Sequence, residues 1–345
     1  MSNNANLQKS DIDFVVLWVD GSDPKWQAKK AQYAHEQTKC IFDSRNEMNG
    51  EVRFRDWGIF RYWFRAVEKY APWVRKVHFV SDSQIPEWMN LNCPKLYFVD
   101  HKDYMPKEWL PNFNASALEL NLFRIEGLSE KFVYFNDDML LNAPVKPTDF
   151  FIDGLPCDCA ILEPLDVDKN NYSDLLLNVM RVIRHHAEFR NPFRENLWKW
   201  LNPRYGWGLF QNLRLWRWRR TLHFYDSHIC NAYLKSIFVE AWTKVPEFLE
   251  NTSAHRFRNY YEDVSKLLIS AWQLSSGKFH PRTPEFGKYY GMDAIADATK
   301  DIREHIHKVI CINDGAADDV DFEALKKQVQ QAYQDILSEK SMFEL

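Results

Sequence analysis

An α/β fold with a mostly parallel sheet is predicted by three observations within residues 13–136. Short apolar runs rich in β-branched and aromatic residues recur there, the pattern of strands buried on both faces. They alternate with amphipathic stretches in the order strand, helix, strand, strand, helix, strand. Four of the runs end in aspartate: Asp20, Asp82, Asp100 and the pair Asp137-Asp138. In open α/β sheets the C-terminal strand edge is where ligands bind, so four acids converging on one edge would form a nucleotide-diphosphate site; turn chemistry alone is the plainer source of the same residues.

Each element follows from its own residues. Phe14–Val19 (FVVLWV) reads as the first buried strand, and Gly21 and Pro24 force a turn behind Asp20. A helix carrying Trp26 and Tyr33 comes next. After a polar stretch over 40–54, Asp56 is expected to cap a helix whose apolar face holds Ile59, Phe60, Trp63, Phe64, Val67 and Tyr70. Val77–Val80 and Leu96–Val99 are the next strands, Asn114–Leu128 a helix, and Phe132–Phe135 the strand that ends in Asn136-Asp137-Asp138. Adjacent acids at the end of a buried strand are costly unless a cation or hydrogen-bond donors meet them. Hard carboxylate oxygens suit Mg²⁺ or Mn²⁺ bridging to substrate phosphates; a polar turn is the alternative.

Further on, Ala160–Leu162 is a candidate strand, a helix is expected from about Tyr233 to Trp242 and another through Trp272, and Lys308–Ile312 is the last strand, ending in Asn313-Asp314. Residues 1–10 are expected as a disordered tail and 11–345 as a single catalytic domain. That domain would carry a helical Trp- and Arg-rich insertion over 168–225 and a terminal helix over 320–338. The run Arg214-Leu215-Trp216-Arg217-Trp218-Arg219-Arg220 suits an anionic polymer or a lipid headgroup surface; a solvated helix with its Trp residues packed inward is the equal alternative.

Composition narrows the class. At 345 residues and 46% hydrophobic content the chain can hold a sizeable core. A formal charge of −4 offers no basic field for nucleic acid. No apolar run approaches a membrane span, and the opening residues lack a signal peptide's apolar core. The cytoplasm is therefore expected, at the inner face of the membrane if the basic-aromatic run meets lipid. Six cysteines without zinc spacing (Cys40, Cys93, Cys157, Cys159, Cys230, Cys311) are expected as reduced thiols. Fourteen Trp imply stacking surfaces or contact with something amphipathic. The absence of GxGxxG and GxxxxGK[ST] argues against dinucleotide and P-loop enzymes.

Five stretches, in order, resemble one family. They are Asp13–Trp26 (DFVVLWVDGSDPKW), Arg53–Val74 with Val80–Pro86, Asn114–Leu140, His228–Arg258 and Cys311–Asp314. Together they resemble the Stealth family of sugar-1-phosphate transferases, which includes bacterial capsular polysaccharide phosphotransferases. The resemblance implies a Rossmann-like, GT-A-type nucleotide-sugar transferase core with a helical insertion. It implies transfer of a sugar 1-phosphate from a UDP-sugar donor to a hydroxyl of a polysaccharide acceptor, metal-assisted by Mg²⁺ or Mn²⁺, with release of UMP, and a peripheral contact with the membrane or a capsule-assembly complex. The family's functional positions fall on Glu119, Asp138, His228 and Arg258, with Asp137 beside Asp138 as a metal ligand. Arg55, Asp56 and Asn114 lie within the matching blocks and are assigned to substrate or nucleotide; Asp20, Asn313 and Asp314 either contact the uridine or ribose or cap turns. This chain departs from the family pattern at Trp57, where an acidic or polar residue is common, and in HICN, which lacks a Pro soon after His228.

The same residue types suit phosphoryl transfer on chemical grounds. Asp137 and Asp138 can hold a cation, Arg258 can fork two phosphate oxygens, and His228 can take a proton near neutral pH. Glu119 can ligate metal or orient the acceptor, or pair with Arg124. A metal-dependent glycosyltransferase releasing UDP and a non-catalytic glycan-binding protein are the competing readings.

Overall fold

The computed structural model describes residues 11–37, 54–166, 172–185, 196–215, 222–313 and 321–345. The expected tail over 1–10, Cys40, Asp314 and the run 216–220 lie outside the described residues. Ten strands matter for the site: β1 (Ile12–Leu17), β2 (Val77–Ser81), β3 (Leu96–Asp100), β4 (Lys131–Asn136), β5 (Met139–Leu141), β6 (Leu162–Pro164), β7 (Leu222–Phe224), β8 (Asn231–Leu234), β9 (Gly287–Tyr290) and β10 (Val309–Ile312). The central sheet runs β8-β4-β1-β2-β3, with β1, β2, β3 and β4 parallel and β8 antiparallel at the edge. The predicted mostly parallel α/β architecture is therefore present.

Period-two side-chain alternation divides the core between the two faces of this sheet. Phe14, Val16, Val77, Phe79, Val133 and Phe135 point to one side, where α2 (Phe60–Tyr70) contributes Phe60, Trp63, Phe64 and Val67. Val15, Val80, Phe132 and Tyr134 point to the other, against α6 (Lys235–Lys244) and α7 (Lys266–Ser275). The terminal helix α9 (Phe322–Ile336) closes over α2: Tyr62 donates to Gln334 at 2.9 Å, and Arg65 makes a fork of two 2.8 Å bonds to Glu344. That helix is where the sequence places it.

Several expectations shift. Tyr233 is not helical: Asn231–Leu234 pairs with β4 as the antiparallel edge, and the helix starts at Lys235. Asp56 does not cap α2; Ile59 is the cap, and Asp56 instead accepts from the Gly58 amide, which sits in the left-handed region at φ +67°. The helix expected over 114–128 ends at Leu120, because Asn121 turns its amide back onto Ala117 and a 3₁₀ turn follows. The candidate strand near 160 begins two residues later, as β6 paired with β7. The insertion is helical over α4 (Tyr172–His185) and α5 (Trp207–Leu215). The described cysteines Cys93, Cys157, Cys159, Cys230 and Cys311 are buried free thiols.

One buried ion network fixes where the sheet begins. Asp13, fully buried on β1, accepts a fork from Arg75 (2.8 and 2.5 Å), a bond from His78 (3.0 Å) and the Ser129 amide (2.9 Å). It thereby ties the starts of β1, β2 and β4 together. Burial raises the Asp13 carboxyl, but the bonds from His78, Arg75 and Ser129 outweigh it and hold it below its ordinary value. A depressed folded value means that the stabilisation is complete above the unfolded value near pH 3.9 and is lost as pH falls through the folded one. Removing one partner of a buried pair costs about 3–5 kcal/mol. Asp13→Ala should therefore lose stability on that order in urea unfolding at pH 7, with the deficit shrinking at strongly acidic pH; a loss independent of pH would point to packing instead.

Candidate active site

The sheet order places the site. The chain builds β1, β2 and β3 outward in one direction, then crosses back to lay β4 on the other side of β1. The C-terminal ends of β1 and β4 therefore flank the topological switch point, where open α/β sheets hold ligands. Trp18 and Val19 leave β1 there, and Asn136, Asp137 and Asp138 leave β4. A cleft of about 1070 Å³ opens over this edge, lined by Trp18, Asp56, Glu119, Asp137, Asp138, His228, Arg258, Lys266 and Asn313 among others. It is at the upper end of the size range for small-molecule sites.

Asp137 and Asp138 are half-buried, with their open side being the cleft. Burial, then the neighbouring charges of Asp138 and Asp56, push the Asp137 carboxyl well above its ordinary range. Burial also raises Asp138, against the opposing pull of His228, Cys311 and Lys266. Asp138 Oδ2 accepts from Asn313 at 3.4 Å, while its Oδ1 is buried with no hydrogen-bond partner. Ligand atoms of Asp138, His228 and Cys311 lie within 4.8 Å of one another. An orphaned, buried carboxylate oxygen beside a second carboxylate is a donor set that fits a divalent cation.

His228 is held by a residue that sequence reasoning missed. Asp226 Oδ1 accepts the His228 amide at 3.0 Å and Oδ2 lies 3.6 Å from Nδ1. This clamp keeps His228 in the left-handed region at φ +49°, a conformation a non-glycine residue adopts only when held there. Burial lowers the imidazole's proton affinity, but the Asp226 bond and charge, with Asp138, raise it overall. Burial likewise raises Asp226, yet His228 and Lys266 hold it far below its ordinary value. The signal was present as an acid two residues before the histidine. Lys266 was also missed: it is 7% exposed, donates to Asn231 at 2.9 Å, and stands 4.8 Å over the Tyr134 ring.

Arg258 reaches the cleft on a loop fastened from below. Asp263 accepts from Asn114 (2.9 Å), the Asn259 amide (2.8 Å) and His255 (2.6 Å), while the Phe113 amide donates to the Arg256 carbonyl at 2.8 Å. Asn114 is itself the N-cap of α3 (Ala115–Leu120) and stays beneath the cleft. On that helix Glu119 faces the cleft, with Oε1 accepting from the Tyr134 hydroxyl at 3.0 Å.

The structure thus brings together Glu119, Asp137, Asp138, His228, Arg258 and Asn313, with Arg55 and Asp56 further along the same cleft. It does not bring in the remaining strand-end acids. Asp20 bonds Ser22 in its own turn, Asp82 pairs with Lys29 at 2.7 Å, and Asp100 accepts from Ser83 and caps a short helix. β2 and β3 lie on the far side of β1 from the switch point, where Asp82 and Asp100 are engaged by Lys29 and Ser83, and from that end only the neighbouring His101 lines the cleft among the described residues.

Comparison with known proteins agrees along nearly the whole chain. Family descriptions of the Stealth protein conserved regions match residues 10–37 (CR1) and 53–157 (CR2). A Streptococcus pneumoniae protein named capsular polysaccharide phosphotransferase WcwK is 41% identical over 96% of this chain and 98% of its own. The Lactiplantibacillus plantarum exopolysaccharide phosphotransferase cps2G is 43% identical over 97% and 96%. The Streptococcus oralis receptor polysaccharide phosphotransferase WefC is 40% identical over 97% and 99%. Among solved structures, the galactosyltransferase LgtC covers 92% of this chain at 11% identity and a TM-score of 0.38, too slight a likeness to carry an argument.

Because the raised values mean that ionising both carboxyls costs folding energy, removing one should relieve it. With chelator present at pH 7, Asp137→Asn should melt above the parent. Millimolar divalent cation should raise the parent's melting temperature by roughly a few degrees, as ligand linkage requires, and the variant's much less. A parent indifferent to every divalent cation would remove the cation site.

Proposed function

The chain belongs to the Stealth family, and from that premise we propose that it transfers a sugar 1-phosphate, of a hexose or an N-acetylhexosamine, from a UDP-sugar to a hydroxyl of a growing surface polysaccharide. The product is a phosphodiester and the leaving group UMP. The observation that carries this reading is the meeting of the acid pair, the Asp226-clamped His228 and Arg258 over one cleft at the switch point. We take residues 11–345 as the catalytic unit.

The bond changes follow from the product. The acceptor oxygen attacks the phosphorus next to the sugar, the bond between the two phosphates breaks, and the sugar's C1–O bond survives, so its anomeric configuration is kept. His228 takes the acceptor's proton; with Nδ1 turned to Asp226, Nε2 is the nitrogen that receives it. Arg258 supplies a planar fork of donors to oxygens whose charge rearranges during transfer. Glu119, fixed by Tyr134, orients the acceptor. Arg55, Asp56 and Asn313 contact the nucleotide, while Asp20 and Asn114 act from behind through the turns they hold. Mg²⁺ or Mn²⁺, held on Asp137 and Asp138, would supply Lewis-acid charge to the diphosphate and the departing UMP.

Incubating the protein with a panel of UDP-sugars and a short acceptor, then identifying the nucleotide released, tests the reaction class: UMP supports it, and UDP would make the protein a glycosyltransferase. EDTA and Asp138→Asn should each abolish turnover, and Mg²⁺ or Mn²⁺ should restore only the chelated parent. His228→Ala should cut turnover by roughly 10²–10⁴-fold, the range of a positioned base, while calorimetry finds donor affinity nearly unchanged. Loss of donor binding instead would make His228 a phosphate contact and move the base to Glu119.

A further inference from the structure

Helix α5 has its polarity reversed. Its inward face is made of Gly208, Gln211, Asn212 and Leu215 and is fastened by hydrogen bonds. Asn212 accepts from the Leu162 amide (2.8 Å) and donates to the carbonyls of Ala160 and Trp200 (both 2.7 Å), and Gln211 donates to the Leu162 carbonyl (2.8 Å). Gly208 is closed against Ile161, with no room for a side chain. The outward face, at spacing i, i+3, i+6, carries Trp207, Phe210 and Leu213, which are 77%, 62% and 54% exposed. A helix on a globular surface normally turns its apolar stripe inward, so three large apolar side chains on the outer face need a partner.

Charge identifies that partner. Arg214 is exposed on the same outer side, and Arg204 is exposed just before the helix. Between Asn196 and Tyr225 the sequence holds five Arg and no Asp or Glu, within a chain of net charge −4, while Lys199 is buried with its ammonium on the Gly277 carbonyl. Trp198, 57% exposed, precedes the helix. Tryptophan and arginine flanking an apolar helix face is the composition of helices that lie in the interfacial layer of a bilayer. A glycan site would pair aromatic rings with hydrogen-bonding side chains in a concave surface. This face is a convex helix side, and it includes an aliphatic leucine.

We propose that α5 docks flat on an anionic lipid bilayer, with Trp207, Phe210 and Leu213 entering the headgroup-acyl boundary and the exposed arginines meeting lipid phosphates. The helix is bonded to β6, whose Glu163 and Pro164 line the cleft, so docking holds one cleft wall to the membrane side. The proposal does not depend on the reaction assigned above.

Co-sedimentation of the full chain with vesicles tests it. The parent should sediment with phosphatidylcholine–phosphatidylglycerol vesicles and much less with phosphatidylcholine alone, and salt should weaken the difference. Trp207→Ser/Phe210→Ser/Leu213→Ser should lose binding roughly a thousandfold or more, since each apolar side chain withdrawn from water is worth about tenfold or more. Melting temperature should stay at the parent value, because all three side chains are more than half exposed. Arg214→Glu should weaken binding to anionic vesicles alone, and Ile306→Ser, an exposed apolar residue elsewhere, should change nothing. A parent that ignores anionic vesicles, a triple variant that binds like the parent, or a parent that binds soluble anionic polysaccharide but no vesicle would each overturn it.

Discussion

Two adjacent carboxylates at the end of a buried strand are the constraint on which the rest of this site depends. Asp137 and Asp138 leave β4 on the inner side of the switch point, and nothing in the central sheet neutralises them. Their compensation comes from later, distant segments: Lys266 from the first turn of α7, His228 from the turn before β8, and Asn313 from the end of β10. They approach the pair because the chain comes back to this end of the structure twice, once as the antiparallel edge strand β8 beside β4 and once as β10 beside β5. The edge strand is thus more than sheet closure. Asn231, its first residue, holds the Lys266 ammonium, and three residues earlier the chain presents His228.

How much of this could be read from the sequence follows from which contacts are local. The β4 run with its acids, the strands β1 to β3 and the amphipathic α2 are local patterns and are found near where they are expected, with β1 displaced by two residues to Ile12–Leu17 and α2 starting at Phe60 rather than behind an Asp56 cap. Strand order is not local: no residue of β2 or β3 announces that β4 will insert beside β1, and so Asp82 and Asp100 read like Asp138 although the sheet keeps them apart. Asn114 sits in a stretch that matches the family, but its side chain caps α3 and braces Asp263. Tyr233 stands at the start of the helix expected to run to Trp242. Pairing with β4 claimed the first residues, an instance of tertiary context overriding pattern. Asp226 was legible as an acid near the histidine, whereas Lys266 was one lysine among many until the fold buried it. Cys311 read as a reduced thiol, and its place beside Asp138 appears only when β10 is laid against β5.

The site carries backbone strain and unmet hydrogen bonding of its own. His228 holds a left-handed backbone, Asp138 keeps a buried oxygen without a donor, and the paired carboxyls resist ionisation. Elsewhere the protein handles buried charge differently. Asp13 takes bonds from Arg75, His78 and Ser129, and Arg65 is forked by Glu344; both carboxylates are held below their ordinary values, with burial opposing and the bonds to their partners prevailing. The same chain therefore satisfies some acids and leaves others short of partners. The deficit at Asp138 is local, because Lys266 and His228 stand close enough to act through their charge yet donate no hydrogen bond to Oδ1.

That difference bears on how donor and cation would depend on each other. A diphosphate entering the cleft brings negative charge toward Asp137 and Asp138, which already repel one another. Arg258 opposes that charge from its loop, and Lys266, which already acts on Asp138, offsets only part of it. A divalent cation between the carboxylates and the phosphates turns two repulsions into two attractions at once. Binding of the cation and of the donor should accordingly reinforce each other, since a cation held on the carboxylates attracts the phosphates that the bare acid pair repels. The orphaned Asp138 oxygen is then a position left open for that cation. Filling it permanently with a protein donor would stabilise the fold and weaken the grip on the cation.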